Sequence, residues 1–566
     1  MAVLNQLDLS EENRLEGIGA ETYDRVANSI RKEFADFIGS LASSSKSAQL
    51  DWWLEAPATR NHVFSRLYHQ LVALVVLDDL LSRGEKPISV FVDSLEMASI
   101  ASEIVRSHGI KVEISYPELV PRLISKMRSL LSPYRSMIRL LSEWILIRKT
   151  NGFARSEVDP AEPLILIDTF AIPGFVKSDR YYPGLYENAG ETKSSIRFVP
   201  QFFNLRLSEL IGASKLLRVH PNKYLLKEDF LRFRDMLWCF GHLFRINKYK
   251  LTTSKFRGME VSSLINADIR RRAGFRCAVR GLMNYRFACS LKRYGVPIHK
   301  IIDWFENHPL DRGWNAGFND FFPSTKRVGY TGFYPAGQSY RPTEYEYKAG
   351  VLPPKHLLLG EGFNEDLCEF FPDCSVETAP AFRYQHLPDL NQRAPRSDSV
   401  LVAMPYYANM CRLVLKIVHQ LQTEHAGWRF ILKPHPAQPI DCFQEFGEVI
   451  AGNAEMTEKS ISVWLSTCPA MITGAQASTI LEAAASAVPT VVIVESMTSE
   501  KVSIPRVIPE QMYKICSEAP EADKALSEIM KSSGTVEPAL LEVARELRHR
   551  CFSPVTSQTV DHMLLS

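Results

Sequence analysis

Two basic side chains near a predicted turn have the clearest potential for phosphate chemistry. The segment WRFILKPHPA places Lys433 and His435 directly after an apolar run that is typical of a buried strand. Pro434 and Pro436 stiffen the turn, because each proline fixes its own backbone φ angle. A cation or an imidazolium at the end of a strand can stabilise a phosphate leaving group. The segment therefore predicts an anion-binding turn.

A second candidate lies about forty residues later, where the strand AMITG runs into the segment GAQASTILEA. Gly474 permits the turn, and Gln476 is predicted to face the ligand with it. Ser478 and Thr479 stand at the start of a helix, where unpaired N–H groups and the positive end of the dipole bind phosphate. The same two residues can also be a helix cap and its neighbour, and the two roles are compatible. Glu482, one turn further, could reach a ribose hydroxyl.

Two carboxylates are candidates for acid–base chemistry. Asp168 stands at the predicted carboxyl end of the strand LILIDTF, the edge at which α/β sheets present catalytic groups. Glu306, in WFENHPLDRG, has His308, Asp311 and Arg312 nearby, a setting that suits a general base or a hydroxyl anchor. Asp168 could instead cap a helix or turn, and Glu306 could belong to a local ion-pair cluster. Both alternatives stay open at this point.

The elements that must position these residues alternate between strands and helices. Residues 87–115 are predicted to form a strand, a helix and a strand, and a further strand follows at 163–170. Beyond residue 346, apolar strands alternate with amphipathic helices, a pattern of parallel sheets covered on both faces. The sequence predicts an α/β fold in which two Rossmann-like domains, 1–345 and 346–566, face each other across a cleft.

The C-terminal domain is predicted to begin with strands at 355–363 and 375–384. Neither domain carries GxGxxG after a strand, and the chain has no GxxxxGK[ST], so dinucleotide and P-loop sites are not predicted. No DxD occurs in a suitable turn. The sequence therefore predicts neither a metal nor a cofactor.

The composition is that of an ordinary globular protein of 566 residues, with 66 Lys and Arg against 64 Asp and Glu. This balance gives no argument for a nucleic acid partner, and none is predicted. Ten scattered cysteines without a CxxC pair favour buried thiols in a reducing compartment. The start of the sequence lacks the pattern of a signal peptide. The expected location is the cytoplasm, with the inner face of the cytoplasmic membrane as an alternative.

Residues 116–151 form an insertion rich in basic residues and large apolar residues. Such a basic amphipathic helix can lie in the interface of an anionic membrane, but it can equally pack on its own domain with its charges in water. Pro133 is predicted to break the helix into two pieces. Peripheral membrane contact through this insertion is a hypothesis.

The segments KPHP and GAQASTILEAAASAVPTVV resemble the donor domain of GT-B glycosyltransferases of bacterial surface polysaccharides. Within these enzymes the resemblance is greatest to transferases of CMP-activated keto sugars, of the Kdo and sialic acid types. The whole-chain pattern, including DWW, LIDTF and WFEN, is similar to that of surface-carbohydrate proteins from O-antigen gene regions. The resemblance implies that His435, Pro436, Ser478 and Thr479 hold the nucleotide phosphate.

The resemblance also implies a metal-independent transfer of a sugar from a CMP-linked donor to a glycan or lipid-linked glycan acceptor. Asp168 or Glu306 would deprotonate the acceptor or attack the anomeric carbon. The Asp/Glu pair before Gly that supplies the sialyltransferase base is absent in that form. A UDP- or GDP-hexose transferase, a UDP-sugar 2-epimerase and a non-catalytic glycan-assembly scaffold are the alternatives. The sequence gives no prediction of oligomeric state.

Overall fold

The computed structural model describes most of the chain, and its three parallel sheets divide the chain between them. Within the described residues no helix is both long and apolar enough to cross a membrane. The described residues are 6–10, 17–42, 49–61, 64–117, 119–156, 158, 163–176, 180–249, 251, 253–334, 341–396, 398–406, 408–435, 452–475, 477–494, 504–531 and 536–566.

The N-terminal part forms a small sheet of its own, with strand order β1-β2-β3. The sequence predicted the last two strands and the helix between them, but placed them in one domain with the strand at 163–170. In the structure these strands pair with β1 in a sheet that is separate from the sheet of the strand at 163–170, and the single-domain assignment stays a prediction. The elements are β1 (Gln6–Asp8), α1 (Gly17–Ala42), α2 (Gln49–Trp53), α3 (Ala56–Thr59), α4 (Leu67–Ser82), β2 (Ser89–Phe91), α5 (Leu95–Ser107) and β3 (Glu113–Ser115).

The middle of the chain forms a six-stranded parallel sheet with the order β11-β10-β9-β8-β4-β5. When the six strands are numbered in chain order and read from β5, the order is 2-1-3-4-5-6, which is that of a doubly wound sheet. Its strands are β4 (Leu164–Ala171), β5 (Ile196–Phe202), β8 (Ile298–Trp304), β9 (Lys326–Thr331), β10 (His356–Leu358) and β11 (Val376–Thr378), and a short antiparallel ribbon of β6 (Lys255–Phe256) and β7 (Met259–Glu260) lies between β5 and β8 in the chain.

The strands near residues 357 and 377 were predicted to open the C-terminal domain, but in the structure they do not join the sheet formed by the later strands. His356 pairs with Gly329 on one side and with Val376 on the other, so both strands extend the middle sheet. Parallel strands with apolar faces look alike in sequence, and only the pairing shows which sheet they join. The domain boundary at residues 345 and 346 stays a prediction.

The helices of this unit cover both faces of the sheet. They are α6 (Leu119–Lys149), α7 (Leu185–Asn188), α8 (Leu207–Arg218), α9 (Phe233–Phe240), α10 (His242–Asn247), α11 (Ser262–Arg271), α12 (Phe275–Arg293), α13 (Pro309–Phe321), α14 (Glu344–Lys348) and α15 (Asn364–Cys368).

Helix α6 is one continuous helix of 31 residues that contains Pro133. The predicted break at this proline is therefore wrong. A proline inside a helix removes one hydrogen bond and costs about 3 kcal/mol. Leu140, Trp144 and Ile147 follow the proline in the same helix and are buried. The free energy gained from their packing offsets the cost of the proline.

Helices α12 and α13 approach each other through glycines. A Cβ atom added to Gly313 would lie 1.9 Å from the carbonyl oxygen of Gly281, and one added to Gly281 would lie 2.2 Å from the carbonyl oxygen of Pro309. No side chain fits at such distances. The contact fixes the position of the first turn of α13, directly after the predicted site residue Glu306.

We expect Gly313→Ala to lower the free energy of unfolding by about 1 to 3 kcal/mol, because the added methyl group must push α12 and α13 apart. Chemical denaturation measures the change. Gly212→Ala in α8 is the matched control, since nothing lies within 4 Å of its added Cβ. Alanine there should be neutral or stabilise the helix by up to about 1 kcal/mol. Equal stability of the two variants would contradict the close packing.

The C-terminal unit is a second six-stranded parallel sheet with the order β14-β13-β12-β15-β16-β17, which is the order 3-2-1-4-5-6 of the dinucleotide-binding fold. The predicted α/β class with two Rossmann-like sheets is thus confirmed. The elements are β12 (Ser399–Ala403), α16 (Ala408–Glu424), β13 (Arg429–Lys433), β14 (Ala454–Met456), α17 (Ile461–Thr467), β15 (Ala470–Gly474), α18 (Thr479–Ala484), β16 (Thr490–Ile493), β17 (Tyr513–Cys516) and α19 (Ala519–Lys531).

After the second six-stranded sheet the chain returns to the middle sheet through α20 (Pro538–Cys551) and α21 (Ser557–Leu565). The buried ammonium of Lys300 in β8 donates to the carbonyl of Met563 at 2.7 Å. Lys326 in β9 donates to the carbonyl of Leu565 at 3.1 Å. Lysines suit this position, because the end of a helix exposes unpaired carbonyls and a partial negative charge.

Candidate functional site

The candidate site lies where the carboxyl ends of the two large sheets face each other. In doubly wound sheets the ligand crevice opens where the strand order reverses, which is between β4 and β8 here. Arg180 and Tyr181 follow β4, and Glu306 follows β8. The charges of Arg180 and Arg383 act on His435 after β13, so charged groups that follow strands of both sheets lie within electrostatic range of one another.

Glu306 is held by two neighbours and keeps access to solvent. The indole N–H of Trp304 donates to its Oε1 at 2.7 Å, and His308 Nε2 lies 3.2 Å from its Oε2. Its side chain is 25% exposed. Burial raises the pKa of Glu306, but the hydrogen bond and charge of His308 outweigh it, and the pKa lies below its ordinary value. The carboxylate is therefore ionised, oriented and reachable, as a general base must be.

The backbone around Glu306 is fixed by the start of α13. Asp311 Oδ2 accepts from the main-chain N–H groups of Glu306 at 2.8 Å and His308 at 3.0 Å. Asn307 adopts the left-handed conformation, which asparagine tolerates better than most residues. Pro309 occupies the first helical position, where its missing N–H costs nothing.

Asp168 lies beneath the cleft, where it is only 2% exposed. Its Oδ1 accepts from Gln201 Nε2 at 2.8 Å, and Lys227 bridges Gln201 to Asn284. Burial raises the pKa of Asp168 well above its ordinary value, and the neighbouring Asp311 adds to this effect. A carboxyl that is buried and resists ionisation suits a structural network better than proton abstraction. Of the two predicted carboxylates, Glu306 is the more exposed to solvent.

Two guanidinium groups form the positive part of the site. Within the described residues, neither Arg180 nor Arg383 makes a side-chain hydrogen bond or a salt bridge, although Arg180 lies over the ring of Phe175 at 4.9 Å. Burial lowers the pKa of Arg180, and the nearby charge of Arg383 lowers it further. The carboxylate of Glu482 acts on Arg180, and Arg383 acts on Glu306, but among the described residues neither guanidinium has a hydrogen-bond partner. Two such groups suit an anion with several oxygen atoms.

His435 lies at this positive part of the site, with its ring 5.4 Å from that of Tyr406. Burial and the charges of Arg180 and Arg383 lower the pKa of His435 to about 4. The imidazole is thus neutral at neutral pH in this structure. The prediction allowed a cation or an imidazolium at this position, but the positive charge comes from the arginines.

Lys433 does not join this group in the structure. Its ammonium donates to the carbonyl of Glu458 at 3.1 Å, in the loop after the edge strand β14. This interaction directs it away from β15 and α18, which lie on the other side of β13 in the sheet. Its predicted role in phosphate binding stays a prediction.

The predicted helix start is present as α18, a helix of six residues. Ser478 is its N-cap residue and is exposed, but its side chain does not cap the helix. Thr479 Oγ1 is buried and has no hydrogen-bond partner among the described residues. Glu482 lies 3.4 Å from His386 Nε2, on the segment that joins the sheets. Its predicted contact with a ribose stays a prediction.

Glycine is required at position 474 for a different reason from the one predicted. Its backbone φ angle is not positive, so the turn itself does not require glycine. A Cβ there would lie 2.5 Å from Met410 Cγ, and glycine is required by this close packing of β15 on α16. Pro436 and Gln476, the remaining predicted binding residues, lie outside the described residues.

The sequence around Arg180, rich in Tyr, Pro and Gly, suggested a loop that stacks on sugar rings while the arginine makes polar contacts, and sequence reasoning missed Arg383. The segment SVETAPAFRY was predicted to be a strand throughout, but β11 ends at Thr378 and Phe382–Tyr384 is a short 3-10 turn. The Ala-Pro pair before this arginine was an available signal, since proline tends to end a strand.

Comparisons with known proteins give similarities of fold only. A scan of protein-family models finds no match, and neither does a search of curated proteins. The chain is similar to the glycotransferase of kitacinnamycin, at 12% identity over 72% of this chain and 100% of that one, with a TM-score of 0.42. It is similar to the glycosyltransferase SnogD from Streptomyces nogalater, at 13% identity over 71% and 99%, with a TM-score of 0.40.

A third similar structure is S. aureus MnaA with UDP, at 10% identity over 71% of this chain and 95% of that one, with a TM-score of 0.38. Similarities of this size are too weak to assign an activity. The functional conclusion therefore depends on the cleft itself.

Proposed function

We propose that the chain is a metal-independent glycosyltransferase that takes its sugar from a nucleotide donor bound in the cleft. The observation that carries this proposal is the pair Arg180 and Arg383, which make no side-chain hydrogen bond among the described residues, together with the ionised carboxylate of Glu306, on which the charge of Arg383 acts. A cationic pair beside a general base is what transfer from a sugar phosphate requires.

In this mechanism Glu306 accepts the proton of the acceptor hydroxyl as that oxygen attacks the anomeric carbon. Trp304 and His308 hold both carboxylate oxygens, so that the base is oriented before the substrate arrives. The bond from the anomeric carbon to the phosphate oxygen breaks, and Arg180 and Arg383 stabilise the charge of the departing phosphate. His435 lies beside them and could donate a hydrogen bond to it.

The donor in this proposal is a CMP-linked keto sugar of the Kdo or sialic acid type, and the acceptor is a glycan or lipid-linked glycan of a bacterial surface polysaccharide such as an O-antigen or capsule. The support is the likeness of the segments around His435 and Thr479 to those transferases. A UDP- or GDP-linked hexose is the alternative donor on the same fold.

Thermal-shift and saturation-transfer NMR measurements with CMP, UDP and GDP test the donor. The proposal expects CMP to stabilise the protein most, and preferential stabilisation by UDP or GDP would replace the CMP part with the alternative. If no nucleotide bound at millimolar concentration, the transferase proposal itself would fail, and a scaffold would explain the fold better.

We expect Arg383→Ala to weaken binding of the preferred nucleotide by roughly 10- to 100-fold, which is the usual loss when one charged hydrogen-bond partner is removed. Isothermal titration calorimetry measures the dissociation constant. Arg396→Ala is the matched control, because this exposed arginine is near in sequence but does not belong to the group around His435. Equal affinity of the two variants would remove Arg383 from the phosphate site.

A further inference from the structure

The surface that α6 presents to solvent carries a row of large apolar side chains. Met127, Leu130, Leu131, Tyr134 and Ile138 are 49% to 68% exposed. Their spacing of three or four residues puts them on one face of the helix, and the row is about 16 Å long at 1.5 Å per residue. Contiguous exposure of this kind marks an interaction surface.

The apolar row continues onto neighbouring helices. Leu130 and Tyr134 share a groove with Phe244 of α10, which is 67% exposed, and the groove has a volume of about 1060 Å³. Phe233 of α9 is 53% exposed, and its ring lies 6.4 Å from that of Trp144 in α6. We call this surface, formed by α6, Phe233 and Phe244, the α6 face.

The charge on α6 has one sign. Its sequence contains seven Lys and Arg residues and a single carboxylate, Glu143. That carboxylate is only 10% exposed and is bound by Arg139, Arg276 and Arg280. Among the side chains of α6 that the structure describes, Arg135 and Lys149 are exposed, whereas Glu143, the one carboxylate of the helix, is not.

The side of the groove formed by α11 carries less net positive charge than α6. Arg270 and Arg271 of α11 line it, but Glu96 lies 3.7 Å from the first and Asp268 lies 3.1 Å from the second. Most of the positive charge of the α6 face is thus on α6 itself, beside the exposed apolar row.

We propose that the α6 face docks on an anionic membrane surface, with its aliphatic row inserted among the acyl chains and its basic residues among the lipid headgroups. This combination of an exposed apolar stripe and basic flanks is what binds a helix in the plane of a charged bilayer. The inference goes beyond the nucleotide cleft and does not depend on the proposed transfer reaction.

Two other occupants fit less well. A second copy of the chain would bring two α6 helices of the same charge together, which is repulsive. A nucleic acid would meet the positive charge, but single-strand binding sites stack bases on aromatic rings, and of the seven exposed residues that comprise the α6 row, Phe233 and Phe244, four are not aromatic.

Vesicle co-sedimentation tests the proposal with the full chain. We expect binding to vesicles of phosphatidylcholine with 30% phosphatidylglycerol, little binding to phosphatidylcholine alone, and a decrease in 0.5 M NaCl. The double variant Leu130→Ser/Ile138→Ser and the variant Arg135→Glu should each lower the partition coefficient by roughly 10-fold or more.

The matched controls change exposed residues on the second sheet unit. Val463→Ser/Ile515→Ser replaces side chains that are 45% and 47% exposed, and Arg396→Glu reverses an exposed charge. Both controls should bind vesicles as the unaltered chain does, and melting curves should show that all variants are folded.

Three results would overturn the proposal. They are equal vesicle binding by the α6 variants and their controls, equal binding to neutral and anionic vesicles, and a self-association in the absence of lipid that the Leu130/Ile138 variant abolishes. The last result would make the α6 face an interface between copies. Loss of membrane binding with intact nucleotide binding separates this inference from the proposed function.

Discussion

Glu306→Gln is expected to lower the rate of sugar transfer by about 10²- to 10⁴-fold, the usual contribution of a positioned general base. Glutamine can still accept from the indole of Trp304, so the side chain should keep its place while losing its basicity. The measurement is the rate of nucleotide release from the donor sugar in the presence of acceptor. The dissociation constant of the free nucleotide should not change, since Arg180 and Arg383 remain.

Asp168→Asn distinguishes the two candidate carboxylates. Because Asp168 is buried and accepts from Gln201, its substitution should affect the melting temperature more than the chemical step. If Asp168→Asn removed transfer while the protein stayed folded and bound nucleotide, and Glu306→Gln remained active, Asp168 would be the base. The mechanism proposed for Glu306 would then be wrong.

We expect the largest effect on stability from a substitution in the buried ionic network around Glu346. Glu346 in α14 is fully buried, and its carboxylate lies 2.8 Å from Arg60 Nη2 and 2.5 Å from Arg312 Nη2. Arg312 also donates to the carbonyls of Trp53 and Ala58, both at 2.8 Å. One carboxylate thus ties the connecting segment after β9 to α13 and to the N-terminal part.

We expect Glu346→Gln to lower the free energy of unfolding by about 3 to 5 kcal/mol, because it leaves two buried guanidinium groups without a counter-charge. The midpoint of urea denaturation measures the effect. Glu344→Gln is the matched control: this residue is two positions earlier in α14, its side chain is 56% exposed, and it pairs only with Lys348. Its change should be within about 0.5 kcal/mol.

The pH dependence of this effect has a definite sign. Burial raises the pKa of Glu346, but the charges of Arg60 and Arg312 outweigh it, so the pKa lies below its ordinary value. A lowered carboxyl pKa gives stability that is present at neutral pH and is lost as the pH falls through the lowered value. The difference between Glu346→Gln and the unaltered chain should therefore shrink in acid. A constant difference would contradict the ionic origin.

The sequence predicted the four inner strands of the second six-stranded sheet but neither of its edge strands, β14 and β17, and it grouped the earlier strands poorly. Continuous apolar strands such as β12 and β15 and amphipathic helices such as α16 follow directly from local periodicity. Whether β10 joins the first or the second sheet depends on its pairing with β9, a contact between residues that are distant in sequence. Local patterns hold no information about that choice.

The site shows the same division between local and distant information. Glu306 and His308 are two residues apart, and their association could be expected from WFENHP. The pairing of Arg180 with Arg383 joins segments about two hundred residues apart, and each arginine alone is an unremarkable polar residue. The lowered pKa of His435 follows from its burial and from those distant charges, so sequence reasoning could not find it.

The hydrogen bond from Lys300 to the carbonyl of Met563 spans 263 residues of chain. Ribosomes add about 5 to 20 residues per second, so roughly 13 to 50 seconds separate the emergence of these two partners. Throughout that interval β8 lacks the helix that covers the ammonium of Lys300, and every strand of the second six-stranded sheet is made before that helix. The middle sheet is therefore begun before the second six-stranded sheet and covered after it, so the nascent chain has a long period in which the end of β8 is uncovered.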